Sequence, residues 1–325
     1  MRARVVGTGS YVPRSVITNS DLEQTVNTSD QWITERTGIR SRYIASPGEG
    51  SSALGAKAAT IALATARLDP ADLDLIIVAT CTPDMPFPST ACLIQSILGA
   101  KAAVAFDVSA ACSGFLFALS IADHYIRLET YRNVLVVGTE VMSSVTDWTD
   151  RATCIIFGDG AGAAVLQGIK GENGILSNHL HSNGQRWDLI YVPGGGSQQP
   201  LSETVLNERL NFIKMRGSTT FKLAVKMMEE AAREALAANN LTIDDIDLFI
   251  PHQANARIIK ATAERLHVPM ERVVMNIGQY GNTSAASVPL ALDEMVRENR
   301  IKSGTHVLLI AFGSGLTWAS TLIRW

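Results

Sequence analysis

Several features that would narrow the reading of this chain are scarce or missing. Positive charge is not in surplus: 28 Lys and Arg stand against 31 Asp and Glu, for a formal net charge of −3. A nucleic-acid partner needs a basic face, so composition gives no support for one. Cysteine is sparse. Its four copies, Cys81, Cys92, Cys112 and Cys154, form no CxxC pair and no metal-ligand spacing, which argues against a zinc site and a disulfide framework. No apolar run approaches the roughly 18 residues of a membrane span. The opening "MRARVVGTGS" lacks the long apolar segment of a secretory signal. The glycines of "GTGSYVP" (7–13) lack the third glycine and the following helix of a dinucleotide site. A reducing cytoplasm, with neither membrane nor nucleic acid as partner, is the expectation.

What is abundant is apolar sequence: 46% of the 325 residues are hydrophobic and only 18% charged. That is a large interior and more chain than one core usually organises, so two domains or two closely packed halves are expected. A weak internal repeat supports the second. "ADLDLIIVAT" (71–80) overlays "DDIDLFIPHQ" (244–253), "FALSIA" (117–122) overlays "LALDEM" (290–295), and "RNVLVVGTE" (132–140) overlays "THVLLIAFG" (305–313). All three share one offset, 173 (248 − 75, 291 − 118, 307 − 134), and an Ala-rich helix precedes the first match in each half. Each unit reads helix, strand, connection, helix, strand. The strands are apolar at consecutive positions, as in parallel sheets covered on both faces. A layered α/β fold of two halves, 1–170 and 171–325, follows. "TCIIFGDGAGAAVLQG" (153–168) reads as a hairpin around a Gly/Asp turn.

Cys112 stands out within "DVSAACSGFLFALSIA" (107–122), at the seam between an extended run and a helical one. One reading is a small buried hydrophobe. The other is a nucleophile at a helix N-terminus, where the dipole offers an anion up to about 2 kcal/mol, enough to lower a thiol pKa by about one unit. Ser109, Ala110, Ala111, Ser113 and Gly114 leave room for a substrate to reach the sulfur. Of six histidines, only His252, in "LFIPHQANARII", ends a strongly apolar strand, where loops of parallel sheets carry function. In the repeat it overlays Ala79. Asn282, in "YGNTSAASVPLAL" (280–292), precedes the helix matching the one after Cys112; by itself it is equally a turn former or N-cap.

Taken together, "DVSAACSGFLFAL", "PHQANARII" and "GNTSAASVPLAL" resemble the three active-site signatures of the β-ketoacyl-acyl-carrier-protein synthase III family, which has the thiolase fold. "NTSDQWITERTGIRSRYIA" (27–45), "FPSTACLIQSILG" (87–99), "TDRATCIIFGDGAGAAVL" (149–166) and "AFGSGLTW" (311–318) extend the likeness over nearly the whole chain.

The resemblance implies duplicated halves in an α-β-α-β-α sandwich and a decarboxylating Claisen condensation. Cys112 takes an acyl group from a short acyl-CoA, acetyl-CoA by expectation; malonyl-acyl-carrier protein then loses carbon dioxide and attacks the thioester. His252 and Asn282 would hold the enolate oxygen as neutral donors, and the backbone N–H groups of Cys112 and Ser314 the thioester oxygen. Ser314 stands where many members have glycine, which restricts the turn if φ must be positive. Trp32, Arg36 and Arg151 resemble the coenzyme A adenine and phosphate contacts, and Phe221, Ala224 and Asn255 the pantetheine tunnel, although Arg216 and Ser218 depart from the family pattern there. Phe87 resembles the residue that bounds the acyl pocket across a homodimer. Arg257, Lys260 and Lys222, with Lys226 and Arg265 behind them, are candidates for docking an acidic carrier protein. No metal or redox cofactor is implied. "GGGSQQPLSETVLNERL" (194–210) reads as a flap or an insertion. The alternative within this chemistry is a related condensing enzyme or acyltransferase of secondary metabolism; outside it, a non-catalytic acyl-CoA or carrier-binding protein.

Overall fold

A computed structural model describes residues 1–325. The first half runs β1 (Arg2–Tyr11), β2 (Ser15–Thr18), α1 (Asn19–Glu23), α2 (Asp30–Thr37), β3 (Ser41–Ile44), α3 (Ser51–Ala66), β4 (Leu75–Ala79), α4 (Thr90–Leu98), β5 (Val104–Val108), α5 (Gly114–Arg127), β6 (Asn133–Glu140), α6 (Arg151–Cys154) and β7 (Gly160–Ile169). The second continues with β8 (Gly174–Ser182), β9 (Ile190–Tyr191), α7 (Glu203–Asn207), β10 (Lys214–Met215), α8 (Gly217–Ala238), β11 (Leu248–Pro251), α9 (Ala256–Leu266), α10 (Ile277–Tyr280), α11 (Ser287–Arg297), β12 (His306–Gly313) and β13 (Thr317–Arg324). Two sheets dominate, ordered β1-β7-β6-β4-β5 and β11-β12-β13-β8. The chain crosses from one to the other between Ile169 and Gly174.

At the offset of 173, β4, β6 and β1 lie over β11, β12 and β8, and β7 corresponds to β13, so the second sheet repeats the order of the first without its fifth strand. Residues equivalent to β5 fall on the short helix α10 instead; one isolated bridge, Phe249 with Val273, remains on that side of β11. The 3-10 turns Ala111–Ser113 and Ser284–Ala286 occupy equivalent places, each leading into a helix, α5 or α11.

Burial explains the layering. β4 is buried at every residue, because helices cover both faces of its sheet. Helices α5 and α11 lie between the sheets. Phe115, Leu116 and Leu119 of α5 and Val288, Ala291 and Leu292 of α11 join β4, β6, β11 and β12 in one central cluster. Each large side chain so buried contributes roughly 1.5–3 kcal/mol. Outside the first sheet, α3 and α4 cover β4, β6 and β7; outside the second, α8 and α9 cover β11 and β12. The result is the α-β-α-β-α sandwich. Close packing also accounts for the glycines of β1. A Cβ on Gly7 or Gly9 would lie 2.3 Å from the Ala62 or Ala58 carbonyl oxygen, so the Ala-rich α3 sits directly on the strand.

The expected hairpin at 153–168 is absent. Asp150 caps the short helix α6, accepting from Ala152 N at 2.9 Å, and residues before Gly160 do not pair with β7. The carboxylate of Asp159 is spent on Ala45 N and on Ser143 N and Oγ, which fixes the turn as a junction between elements. The stretch 194–210 is no free flap either. It contains α7, Val205 is 1% exposed, and Arg209 grips Asp147 through Nε at 2.6 Å and Nη2 at 2.5 Å.

Candidate active site

The turn that presents Cys112 is built on an unusual backbone. Ala111 has φ 45°, a left-handed conformation that side chains rarely adopt, and it lifts the next residue out of β5 and into α5. The other half of the molecule clasps this turn. Thr317 Oγ1 donates to Ala110 O at 2.9 Å, and Ser113 Oγ donates to Thr317 O at 3.0 Å. A Cβ on Gly313 would lie 2.8 Å from Cys112 N, so glycine is required there. The left-handed position in this loop is Gly315, with φ 130°; Ser314 is not among the residues of positive φ, so its Cβ imposes no strain. Its hydroxyl donates to Ile190 O.

Cys112 opens onto a cavity of about 930 Å³ shared with His252, Asn282, Ser314, Phe221 and Ala224, with Trp32 and Arg36 also in its wall. Both donor candidates are oriented from behind. The Ser287 hydroxyl lies 2.5 Å from His252 Nδ1, and Gln253 N donates to the same oxygen at 3.4 Å. Nδ1 is the only acceptor that hydroxyl reaches, so Nδ1 accepts and the proton of the neutral ring sits on Nε2, which has no protein partner. Burial pushes His252 down to a pKa of about 3, so the ring is neutral at ordinary pH. Asn282 is fixed in the same way. Its Oδ1 accepts from Ser284 N at 2.9 Å, which leaves Nδ2 unpaired beside the cavity. Two uncharged N–H donors therefore line the same space as the thiol.

The thiol itself departs from the expectation of a lowered pKa. Burial, the largest influence, pushes Cys112 from 9.0 up to about 12. That is on the order of 4 kcal/mol, twice the most a helix terminus supplies. Cys112 also lies in the 3-10 turn Ala111–Ser113, two residues before the first residue of α5. At rest the group is a thiol.

At the wall nearest α2, the Trp32 ring carries two guanidinium groups, Arg36 at 4.9 Å and Arg151 at 4.7 Å from its centroid. Ser29 caps that helix through Trp32 N at 3.1 Å, and the four-residue spacing puts Trp32 and Arg36 on one face. Asn255 is tied down by its own hydrogen bonds: Oδ1 caps α9 through Arg257 N at 2.8 Å, and Nδ2 donates to Arg36 O at 3.0 Å. Arg216 pairs with Asp188 at 3.0 Å, while Ser218 and Lys222 reach the cavity wall. Of the basic candidates, Lys226 pairs with Glu230 and Arg265 with Glu229, whereas Lys222, Arg257 and Lys260 have no carboxylate partner. Arg257 also lines the cavity and lies 5.6 Å above the Phe221 ring; Lys260, one turn along α9, does not line it. Phe87 stands apart, 84% exposed and outside the cavity.

The residues read from motifs thus converge, except Phe87 and Lys260. Ser284 and Ser287, which hold Asn282 and His252 from behind, escaped sequence reading. They overlay Ala111 and Gly114 at the repeat offset, and that coincidence was the available signal.

The family model 3-oxoacyl-[acyl-carrier-protein (ACP)] synthase III matches residues 106–184, and the model of its C-terminal part matches residues 236–325. The β-ketoacyl-[acyl-carrier-protein] synthase III of Caldanaerobacter subterraneus is 51% identical over 323 residues, covering 99% of this chain and 98% of that one. The protein of the same name from Methylococcus capsulatus is 53% identical, with 99% of each chain covered. The crystal structure of 3-oxoacyl-[acyl-carrier-protein] synthase III from Aquifex aeolicus superposes with a TM-score of 0.93 at 46% identity, covering 99% of this chain and all of its own. With identity at this level over the full length, the chain belongs to the β-ketoacyl-[acyl-carrier-protein] synthase III family.

Proposed function

We propose that this chain joins a short acyl group, acetyl from acetyl-CoA, to malonyl-acyl-carrier protein, giving a β-ketoacyl-carrier protein and starting fatty-acid synthesis. One observation carries the reading: the unpaired N–H donors of His252 and Asn282 share a cavity with Cys112. Decarboxylation leaves a thioester enolate, and its oxygen needs donors that do not trap the departing carboxylate as a cation would. A neutral Nε2–H and a carboxamide meet that need, each worth about 2.7–4 kcal/mol by analogy with oxyanion donors. The sulfur attacks the acyl-CoA carbonyl, whose oxygen is received by Cys112 N–H and Ser314 N–H. Coenzyme A leaves, and the enolate carbon then displaces the sulfur. One C–S bond is exchanged for another, then for a C–C bond, and no electron is gained or lost, so the reaction calls for no redox cofactor.

Trp32 and Arg151 would hold adenine. Their present separation of 4.7 Å is below the roughly 7 Å that an intervening ring requires at about 3.5 Å per contact, so Arg151 swings outward on binding. Arg36 is placed for phosphate, and Phe221, Ala224 and Asn255 for the pantetheine arm. The unpaired cations Lys222, Arg257 and Lys260 offer an acidic carrier protein its docking rim. β5 is an edge strand, and Val104, Ile97 and Phe87 near it are 48%, 58% and 84% exposed. An apolar edge of this kind calls for a covering, and a second copy would supply it while bringing its Phe87 to the acyl pocket. We take the two units to be 1–170 and 171–325, and the setting to be a reducing cytoplasm, in keeping with four free cysteines.

Intact-mass measurement after incubation with a panel of acyl-CoAs tests the reading. An acetyl adduct abolished by Cys112→Ala, and discharged by malonyl-carrier protein into a β-ketoacyl product, is expected. An adduct that malonyl-carrier protein leaves in place would reduce the activity to simple acyl transfer.

A further inference from the structure

The two walls of the adenine site stand on different elements. Trp32 and Arg36 belong to α2, while Arg151 is the first residue of α6, far along the chain. Little apolar packing joins these two short helices. The cluster between them has four buried members, Leu22, Ile33, Cys154 and Ile155, against 30 in the cluster between the sheets.

What joins them is polar. Arg42, on β3, is 0% exposed, pairs with no carboxylate and does not line the cavity. Its guanidinium spreads in two directions. Nη2 donates to Ile155 O at 2.8 Å, at the end of α6. Nη1 donates to Asn19 Oδ1 at 3.0 Å and to Ile17 O at 3.3 Å. Asn19, 1% exposed, passes the hold on to α2. Its Nδ2 donates to Asp30 Oδ1 at 2.8 Å, at the start of that helix, and to Ile39 O at 2.8 Å, just past its end. Burial lowers the Arg42 pKa to about 10, which leaves the group charged at neutral pH. A buried charge without a counter-ion is costly, and Nε finds no partner at all. An apolar side chain would fill the same space without that cost. What it could not supply is a rigid fork with donors facing two ways.

We propose that Arg42, through Asn19, is a positioning residue for coenzyme A: it holds the backbones of α2 and α6 so that Trp32 and Arg151 can take the adenine between them. The network sets the helices and leaves the Arg151 side chain to move. Arg151 has its own tether, Nη1 to Asn27 O at 3.0 Å, and this breaks as the guanidinium swings out, while α6 stays held from its other end. Arg42 touches neither the nucleotide nor the sulfur, so its effect falls on binding of the nucleotide and not on the chemistry at Cys112.

The proposal rests on the coenzyme A reading above, and the experiment keeps the two apart. Acylation of Cys112 is followed by rapid-quench intact mass with two donors, acetyl-CoA and acetyl-pantetheine, which carries the same thioester without the nucleotide. Arg42→Lys keeps the charge and the aliphatic stem that packs on Gly158 and Gly281, but loses the fork. Asn19→Ala cuts the arm to α2 and leaves Arg42 in place. In both variants the acetyl-CoA concentration for half-maximal rate should rise about tenfold, the lower range for losing a hydrogen bond to a charged group, with the maximal rate within about twofold of wild type. Rates with acetyl-pantetheine should also stay within about twofold, which a general loosening of the fold would not allow. Equal losses with the two donors, or an unchanged half-saturation for acetyl-CoA, overturn the proposal. If Arg42→Lys does not fold, Asn19→Ala decides alone. A wild type that uses both donors equally well overturns the adenine reading instead.

Discussion

Residues 110–114 and 283–287 occupy equivalent places in the two halves, and their backbones turn in the same way. Ala111 and Ser284 take φ of 45° and 49°, each opens a 3-10 turn, and each turn feeds a helix lying between the sheets. Their side chains differ. The first turn holds a thiol among small residues. The second holds Ala285, 1% exposed, at the position of the sulfur, with hydroxyls at Ser284 and Ser287 and the amide of Asn282 just before it. The strand ends complete the exchange. Gly313, at the end of β12, packs on Cys112 N, while Glu140, at the end of β6, hydrogen-bonds Ser284. These two residues are themselves 173 apart (313 − 140), so each half clasps the turn of the other. The two halves present the same kind of turn, one carrying a thiol and the other two hydroxyls and a carboxamide.

The sharpest way to break this comparison is to move the sulfur. Cys112→Ala combined with Ala285→Cys should give no acetyl adduct by intact mass, because residue 285 is buried in the central cluster and does not line the cavity; an adduct at 285 would show that the turns are interchangeable. Next come the donors. Asn282→Ala or His252→Ala should slow condensation by about 10²–10³-fold in a malonyl-carrier-protein turnover assay. The acyl adduct should still form, since these donors serve the second step; equal loss of both steps would place them elsewhere. A smaller effect concerns stability. The unfolded histidine titrates near 6.5 and the folded one near 3, so the unfolded state binds the extra proton on acidification. Stability from this site is complete above about pH 6.5 and is lost as pH falls towards about 3. Between pH 7 and pH 5 the loss is about 2 kcal/mol. Urea unfolding of His252→Asn should show that much less acid sensitivity than wild type. The smallest effect is that of Ser287→Ala, which removes one hydrogen bond of about 1 kcal/mol from the imidazole. We expect a roughly five- to tenfold lower condensation rate with the acetyl-CoA KM unchanged, and a rise in KM would instead mean a collapsed cavity.

Much of this was legible in sequence because motifs and repeats are local. The offset placed β4, β6, β11 and β12 correctly, and the three signatures marked Cys112, His252 and Asn282. The misreadings arose where distant contacts decide. "TCIIF" is apolar and short, a pattern shared by strands and buried helical turns, and only Asp150 and Asp159 with their remote partners choose between them. The thiol looked activated because a helix start is visible in sequence, whereas the burial that outweighs it is not. Glu140 lies inside "VVGTEV" and reads as the polar end of a strand; that it is buried and bonded to Ser284, 144 residues away, is visible only in the fold. The loss of a fifth strand from the second sheet left no local trace either.

The clasp between Thr317 and the Cys112 turn spans 204 residues at Ser113 and 207 at Ala110. During translation the sulfur therefore emerges from the ribosome long before the segment that holds it in place. The first sheet by itself, through Ile169, carries Cys112 but neither His252, Asn282 and Ser284 nor the Thr317 contacts that fix the turn, so the geometry of the site exists only when both halves are folded together.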